Sequence, residues 1–573
     1  VDRNKTLIDH LRARVSAAPF FKRLNDDGRR LDVTGASVEA RALLIASLQD
    51  ERHRRVAVIT AGDAAVADFE TALRLFHRDP QCVSVYPAPA LSPYQDVAPS
   101  LGVVREEIRA LGMLIDDQAD VLVVPTRALF QRLPLADAFR ARIVRMAEGD
   151  DLDLRVLLQQ LVENGFVRTD LVGEAGEFAF RGGILDLFPP NTPKPIRVEL
   201  FGDTIDSLRW FDVETQRSED PSGPVTIYPI TQYPLTREVR SALARRLSLD
   251  FQHHVFKRDV ADKIERLSEN GTFPGIEHYV PVAVESATFA DYIRDFDVVL
   301  IEPDQITTTI AKYESLLRNE YEAAAEKGRA VYPPEKLVAP GTEIFHFIGE
   351  ARLSFSEVHV ARTGEEELRL RAGNTDRYNN RLSEFPADVN ADSRQQLFFA
   401  ATKGGREKIE RLLKEFSVPF ADETLGNALT VTTGNLGRGF IFDELGLTAW
   451  SEWDLFEPPT STRIGSRKKK TDAFVSDLRD LKKGDHIVHV DHGVGRFVGL
   501  QRIPFGETER EVMEIEYSGG GKLLMPMENL NLIQRYTGGG EDSQPKLDKL
   551  GGTSWARTKA SVKKAMRDMA DEL

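Results

Sequence analysis

Apolar positions change their period several times along this chain, and the changes divide it. From residue 1 to 134, short apolar runs such as "RVAVIT" (Arg55 to Thr60) and "DVLVVPT" (Asp120 to Thr126) alternate with amphipathic stretches such as "VVREEIRALGMLI". Strands alternating with helices predict a parallel sheet. Residues 135–233 are denser in β-formers, "FAFRGGILDLFPP" and "IRVELFGDTIDSLRWFD", with Gly202-Asp203 as a hairpin signal, which predicts an α+β insert. Mixed helices and strands return over 234–349, where "DVVLIEPDQ" reads as a buried strand feeding a polar loop. A short α/β unit without an assignable role follows over 350–456, with "RLLKEFSVPF" helical and "ALTVTTG" a strand. "EPPTSTRIGSRKKK" then breaks all periodicity, and 457–478 reads as a basic linker carrying Arg463, Arg467, Lys468, Lys469 and Lys470. Short strands separated by "DHGVGR", "PFGETER" and "SGGGK" predict a small all-β, barrel-like module over 479–540. Residues 541–573 end in a helix with Trp555, Val562, Met566, Met569 and Leu573 on one stripe.

The 573 residues exceed what one core serves, since single cores stop growing at roughly 250 to 300 residues. At 41% hydrophobic and 29% charged the composition is that of a globular protein, and no apolar run approaches the ~20 residues that cross a bilayer. A lone cysteine, Cys82, excludes an intramolecular disulfide framework and a cysteine-rich zinc module, which fits a cytoplasmic location. A net charge of −15 argues against a surface made to coat DNA, while leaving room for local basic patches. Val1 at the start and a helical pattern running into Leu573 give both ends the look of cuts.

The stretch "VTGASVEARALLIASL" (Val33 to Leu48) has the strand, turn and helix of a phosphate-binding loop. Laying G-x-x-x-x-G-K-[ST] on it puts Asp32 and Ser37 at the glycines, Val38 at the lysine and Glu39 at the magnesium-binding hydroxyl. Every chemical position fails, and a carboxylate at 39 would repel phosphate. An ordinary turn capped near Ser37 implies the same absence of nucleotide chemistry. "GFIFDELG" reads as a buried strand with an acidic end at Asp443-Glu444, and Gly521-Lys522 is followed by Leu523, so neither supplies a motor. His486, His489 and His492 invite a metal reading, but strand alternation turns His489 away from the other two, which leaves surface and turn histidines. No catalytic residue and no metal site is assigned. The strand "EVMEIEY" sets Val512, Glu514 and Glu516 on one face and Met513, Ile515 and Tyr517 on the other. It could offer an unpaired edge to a partner strand, or be paired internally on both sides.

"GEFAFRGGILDLFPPNTPKPIRVELFGDTIDSLRWFDVETQRS" resembles the second domain of the excision-repair protein UvrB and of bacterial transcription-repair coupling factors. "LKKGDHIVHVDHGVGRFVGL" with "LLMPMENLNLIQRYTGG" resembles their CarD-type RNA polymerase interaction domain, and "KLDKLGGTSWARTKASVKKAMRDMADEL" resembles the helix connecting it to their motor. The resemblance implies UvrB-like α/β domains 1a and 1b around a UvrA-binding domain 2, then the small α/β domain, an SH3/Tudor-like β-barrel and the terminal helix. It implies UvrA binding through Arg168, Glu177, Phe180 and Arg181. It also implies docking on the β subunit of RNA polymerase through Glu511, Val512, Met513, Glu514 and Ile515, with Met513 or Ile515 as the apolar anchor. In that family, ATP and magnesium serve a translocase motor that also carries most of the contact with double-stranded DNA; no motor motif stands in this chain. UvrB's tyrosine-rich damage hairpin is reduced here to "PAPALSPYQDVAPSLG" with Tyr94 alone. The other class considered is a stand-alone CarD-like transcription regulator.

Overall fold

The computed structural model describes residues 3–26, 28–89, 91–95, 101–358, 365–378, 381–422, 429–456, 483–489, 492–505, 508–526, 533–535 and 546–548. Contacts separate a large unit within residues 1–460 from a small one within residues 461–573.

Buried apolar strands at Arg30–Ala36, Val56–Thr60 and Val121–Pro125 build the large unit's main sheet, all parallel as the alternating pattern predicts. Its seven strands run in the order Glu365–Ala372, Arg30–Ala36, Leu353–Ser356, Asp297–Ile301, Val56–Thr60, Val121–Pro125, Val83–Val85. The divisions at 234 and 350 therefore do not separate sheets. Asp297–Ile301 comes from the stretch expected to be its own domain, and two strands beyond residue 350 close the same sheet. A parallel sheet is assembled from strands far apart in sequence, so shifts of local texture carry no record of its membership. Asp297–Ile301 also feeds no polar loop. Glu302 takes a left-handed φ of 55°, and Pro303 opens a 24-residue helix, Pro303–Glu326, for which its fixed φ is suited.

Helices Arg3–Ser16, Val38–Arg52 and Asp63–Phe76 lie between this sheet and a second one. The second sheet runs Phe420–Asp422, Leu429–Thr433, Gln395–Ala400, Leu447–Ser451, Phe440–Phe442, with only the last strand antiparallel. One core joins both layers. Phe76 packs edge-on against Phe399 and Phe440, and Phe20 stacks on Phe442 at 5.6 Å. The stretch read as helical through "RLLKEFSVPF" ends its helix at Glu415, where Ser417 takes φ 56° before the strand Phe420–Asp422.

The insert is a six-stranded sheet in the order Ser218–Pro221, Thr204–Phe211, Ile196–Phe201, Ile184–Leu187, Glu177–Arg181, Val167–Arg168, with the Gly202-Asp203 hairpin where the sequence placed it. Its two tethers fasten to each other and to the main body. Arg142 donates to Asn164, Thr231 and Gln232, and the Gln232 amide donates to the buried Glu107 at 2.8 Å. Tyr94 is buried, donating to Tyr332 O at 3.0 Å.

Among the described residues the small unit holds five antiparallel strands in the order Lys522–Pro526, Thr508–Glu516, Gly493–Phe505, His486–His489, Ile533–Arg535. The basic linker over 457–478 and the terminal helical stripe lie outside the described residues.

Candidate docking surfaces

The loop that mimics a phosphate site is filled by the chain's own groups. Ser37 caps the helix Val38–Arg52, its Oγ accepting from Ala40 N–H at 3.3 Å. Glu39 does not face a phosphate; it is 7% exposed, and its carboxylate accepts from its own N–H and from that of Arg438 in the second layer. A helix amino terminus attracts anions, and here a side chain is the anion. Next to it Arg41 donates to Ala36 O and to Glu302 Oε1, both at 2.8 Å, while Glu302 Oε2 accepts from Glu357 N–H. Asp32, fully buried, accepts from Ser354 and Ser356 at 2.8 Å. The acidic end at Asp443-Glu444 is likewise engaged, Asp443 by Arg394 at 2.7 Å and Glu444 by the Arg371 N–H.

Burial pushes the Glu39 carboxyl from an ordinary 4.5 up to about 7. A carboxyl raised in the folded state makes stability highest below the unfolded value and lowers it as pH rises through the folded one. The penalty above pH 7 is on the order of 3 kcal/mol. Glu39→Gln, which keeps an acceptor and loses the charge, should match the parent at pH 4.5 and exceed it by about 3 kcal/mol at pH 8. Denaturant midpoints at the two pH values check this; equal differences at both would refute it.

In the insert, the four expected residues do not form one surface. Arg168 pairs with Phe178, which puts it on the face of Phe178 and Phe180, while Arg181 lies on the opposite face. Glu177 is engaged locally, its Oε2 accepting from the Gly173 and Glu174 amides at 2.7 and 3.0 Å. Phe180 is half-buried against the insert's core. Sequence reading missed what stands beside Arg181. Ile184 pairs with both Arg181 and Glu199, and Phe201, on the same face as Glu199, is 84% exposed. Alternation along Ile196–Phe201 held the signal, since a phenylalanine next to the turn glycine has no inward position left.

The small unit corrects the expected edge strand. Residues Glu511 to Ile515 belong to Thr508–Glu516, which pairs with Gly493–Phe505 on one side and, from Val512 onward, with Lys522–Pro526 on the other. Val512 is buried, Met513 is 3% and Ile515 0% exposed, so neither proposed anchor reaches a partner. Glu514 is buried too, paired to Lys522 Nζ at 2.6 Å. Met513, Ile515 and Tyr517 form the dry face that the alternation marked, but Val512 and Glu514 on the opposite face are buried as well, and the pattern could not show that the backbone edges were taken.

The histidines also differ from the strand expectation. His489 is buried beside His492, ring centroids 4.6 Å apart, and burial with that neighbour holds His489 down at about 4. His489 pairs with Gly493, so the chain reverses between them and returns His492 to the same side. Among the described residues no group of three His, Cys, Asp or Glu could hold a metal ion, and no helix is long and apolar enough to cross a membrane.

The family model for the UvrB interaction domain matches residues 144–233, and that for the CarD-like/TRCF RID domain matches residues 481–537. The transcription-repair-coupling factor of Staphylococcus epidermidis is 27% identical over 570 residues, covering 94% of this chain and 48% of the relative. That of Staphylococcus aureus is 28% identical over 571 residues, with the same coverage. This chain matches their amino-terminal half. It spans about half the length of these coupling factors. The two matched domains coincide with the six-stranded insert and the five-stranded small unit.

Proposed function

We propose that this chain is the part of a transcription-repair coupling factor that holds RNA polymerase and recruits UvrA, with ATP-driven DNA translocation residing elsewhere in the full-length protein. One observation carries the reading. A UvrB interaction domain and a CarD-like/TRCF RID domain occur in one chain, in a similarity that runs along 94% of it. A stand-alone CarD-like regulator accounts for the second domain and leaves the first without a purpose. The self-filled loop at Glu39 and Arg41 supports a chain that turns over no nucleotide itself.

UvrA docks on the outer face of the insert, around Arg181, Ile184 and Phe201. An exposed aromatic beside a guanidinium that has no carboxylate partner among the described residues is the composition of an interface centre. Calorimetry of the chain with UvrA tests it. Phe201→Asp should weaken binding roughly tenfold or more and Arg181→Glu comparably, whereas Arg168→Glu on the opposite face should leave it unchanged. Undiminished binding by the Arg181→Glu, Phe201→Asp double variant would place UvrA on another surface. RNA polymerase docks through its β subunit on the outer edge of the small unit's strand Lys522–Pro526, which pairs on one side only among the described residues.

A further inference from the structure

The insert joins the main body through two short tethers, and the residues that fasten them bury two opposite charges. Val144–Met146 leads in and Val225–Ile227 leads out, paired antiparallel, with Arg142 ahead of the first and Gln232 beyond the second. Arg142 is buried and donates to Asn164 Oδ1 at 3.1 Å, Thr231 Oγ1 at 3.0 Å and Gln232 O at 2.6 Å. The side-chain amide of Gln232 donates in turn to Oε2 of Glu107 at 2.8 Å, on the main body's helix Leu101–Ile115. Gln131 donates to Glu107 Oε1 at 2.9 Å and accepts from the Tyr86 hydroxyl at 2.6 Å. One glutamine thus ties a cation at the foot of the insert to an anion in the body.

Among the described residues, neither charge meets its opposite. The three acceptors around Arg142 are neutral, and burial alone pulls its guanidinium from 12.5 down to about 9. Burial likewise lifts the Glu107 carboxyl from 4.5 up to about 7. The amides of Gln131 and Gln232 hold that rise back, while the carboxylate of Glu277, on the helix Ile276–Ala283, repels Glu107 and adds to it. Tyr233 and Tyr292 stand around Tyr86, with Arg132 acting on the first and Arg140 on the second. Taking an ion out of water is costly unless a charge of opposite sign stands against it. Here hydrogen bonds to neutral groups hold the root shut, and both ions would regain their hydration if it parted. A joint with such opposed terms opens locally before the domain around it unfolds.

We propose that the root of the insert is a hinge poised to open, in which Gln232 latches Arg142 to Glu107 and hydration of both charges on opening offsets the hydrogen bonds lost. Closed, it fixes the direction of the insert's outer face; open, it lets that face turn while the main body stays in place. The hinge stands on the geometry of the root, and only its use in presenting the outer face to UvrA rests on the reading above. Hydrogen exchange of the full chain, followed by mass spectrometry and divided by intrinsic rates, tests it on peptides carrying the Ile230 amide, which donates to Asn164 O at 2.8 Å across the root. On opening, Glu107 returns to its ordinary 4.5, so opening grows easier as pH climbs towards 7 and levels off above it, whereas Arg142 keeps its charge in both states over that range. Protection at the root should therefore fall roughly tenfold between pH 6 and pH 8. Glu107→Gln should erase that fall and leave the root at least about tenfold better protected than the parent's at pH 8, since Gln232 can turn its amide to meet the new side chain. Gln232→Leu, which cuts the latch, should lower protection at both pH values. Parent protection that does not change with pH, a fall that persists in Glu107→Gln, or no loss in Gln232→Leu would each overturn the proposal.

Discussion

Gly35→Ala should cost the large unit about 3 kcal/mol or more, a large fraction of the roughly 5 to 15 kcal/mol by which folded domains are typically stable. Gly35 sits at φ 74°, between Thr34 and Ala36, where the register with Glu365–Ala372 shifts by a bulge. A left-handed backbone costs an L-residue roughly 1 to 2 kcal/mol. The larger part is steric, because a Cβ there would stand 2.1 Å from the Leu370 carbonyl oxygen, a main-chain atom of the paired strand that cannot swing aside. Relief would require parting the edge strand from Arg30–Ala36 and losing the Ser37 N–H to Ala372 O bond at 2.8 Å. The glycine of the phosphate-loop-like turn is therefore held by sheet geometry, with no ligand involved. Urea unfolding followed by far-ultraviolet circular dichroism checks it; a midpoint within error of the parent's would mean that the bulge can open at little cost.

Periodicity located most strands because it reports which side of a strand is dry, and that is a local property. It placed Val56–Thr60, Val121–Pro125 and the Gly202-Asp203 hairpin correctly. What it could not report was pairing between strands distant in sequence. The same gap explains two failures of different appearance. Leu353–Ser356 and Glu365–Ala372 lie beyond the division at 350 yet belong to the first sheet, and Glu511 to Ile515, which the resemblance implied as a docking edge, has strands on both sides from Val512 onward. On the insert's outer face Arg181 was named from the resemblance, whereas the exposure of Phe201 was not legible, since exposure of a large aromatic contradicts its type and appears only once the fold has used up the inward positions. The chemistry of the altered loop was legible as an absence of lysine and hydroxyl. That Glu39 would itself occupy the helix terminus depends on Arg438, some four hundred positions away in the second layer.

Ile515→Arg should abolish binding to the polymerase β subunit, and should do so by unfolding the small unit. Ile515 is fully buried in a core with Phe497, Met513, Tyr517 and Leu523, and an unpaired charge there costs several kcal/mol, against a sheet of few strands with little stability to spare. Loss of binding by that variant alone thus says nothing about where the partner sits. Leu524→Pro separates the two. The Tyr517 N–H donates to Gly521 O at 2.7 Å, so the bonded pairs of this hairpin are 517 with 521, 515 with 523 and 513 with 525. Lys522 and Leu524 then turn their main-chain groups outward, and proline at 524 deletes one outward donor without touching the internal ladder. A backbone hydrogen bond lost at an interface is worth about 1 to 1.5 kcal/mol, so affinity should fall roughly tenfold while the unit stays folded. Calorimetry with purified β subunit, beside circular dichroism of each variant, reads both quantities. Leu524→Pro binding as tightly as the parent would remove this strand from the interface and leave Ile533–Arg535, at the opposite edge of the sheet, as the strand to test next.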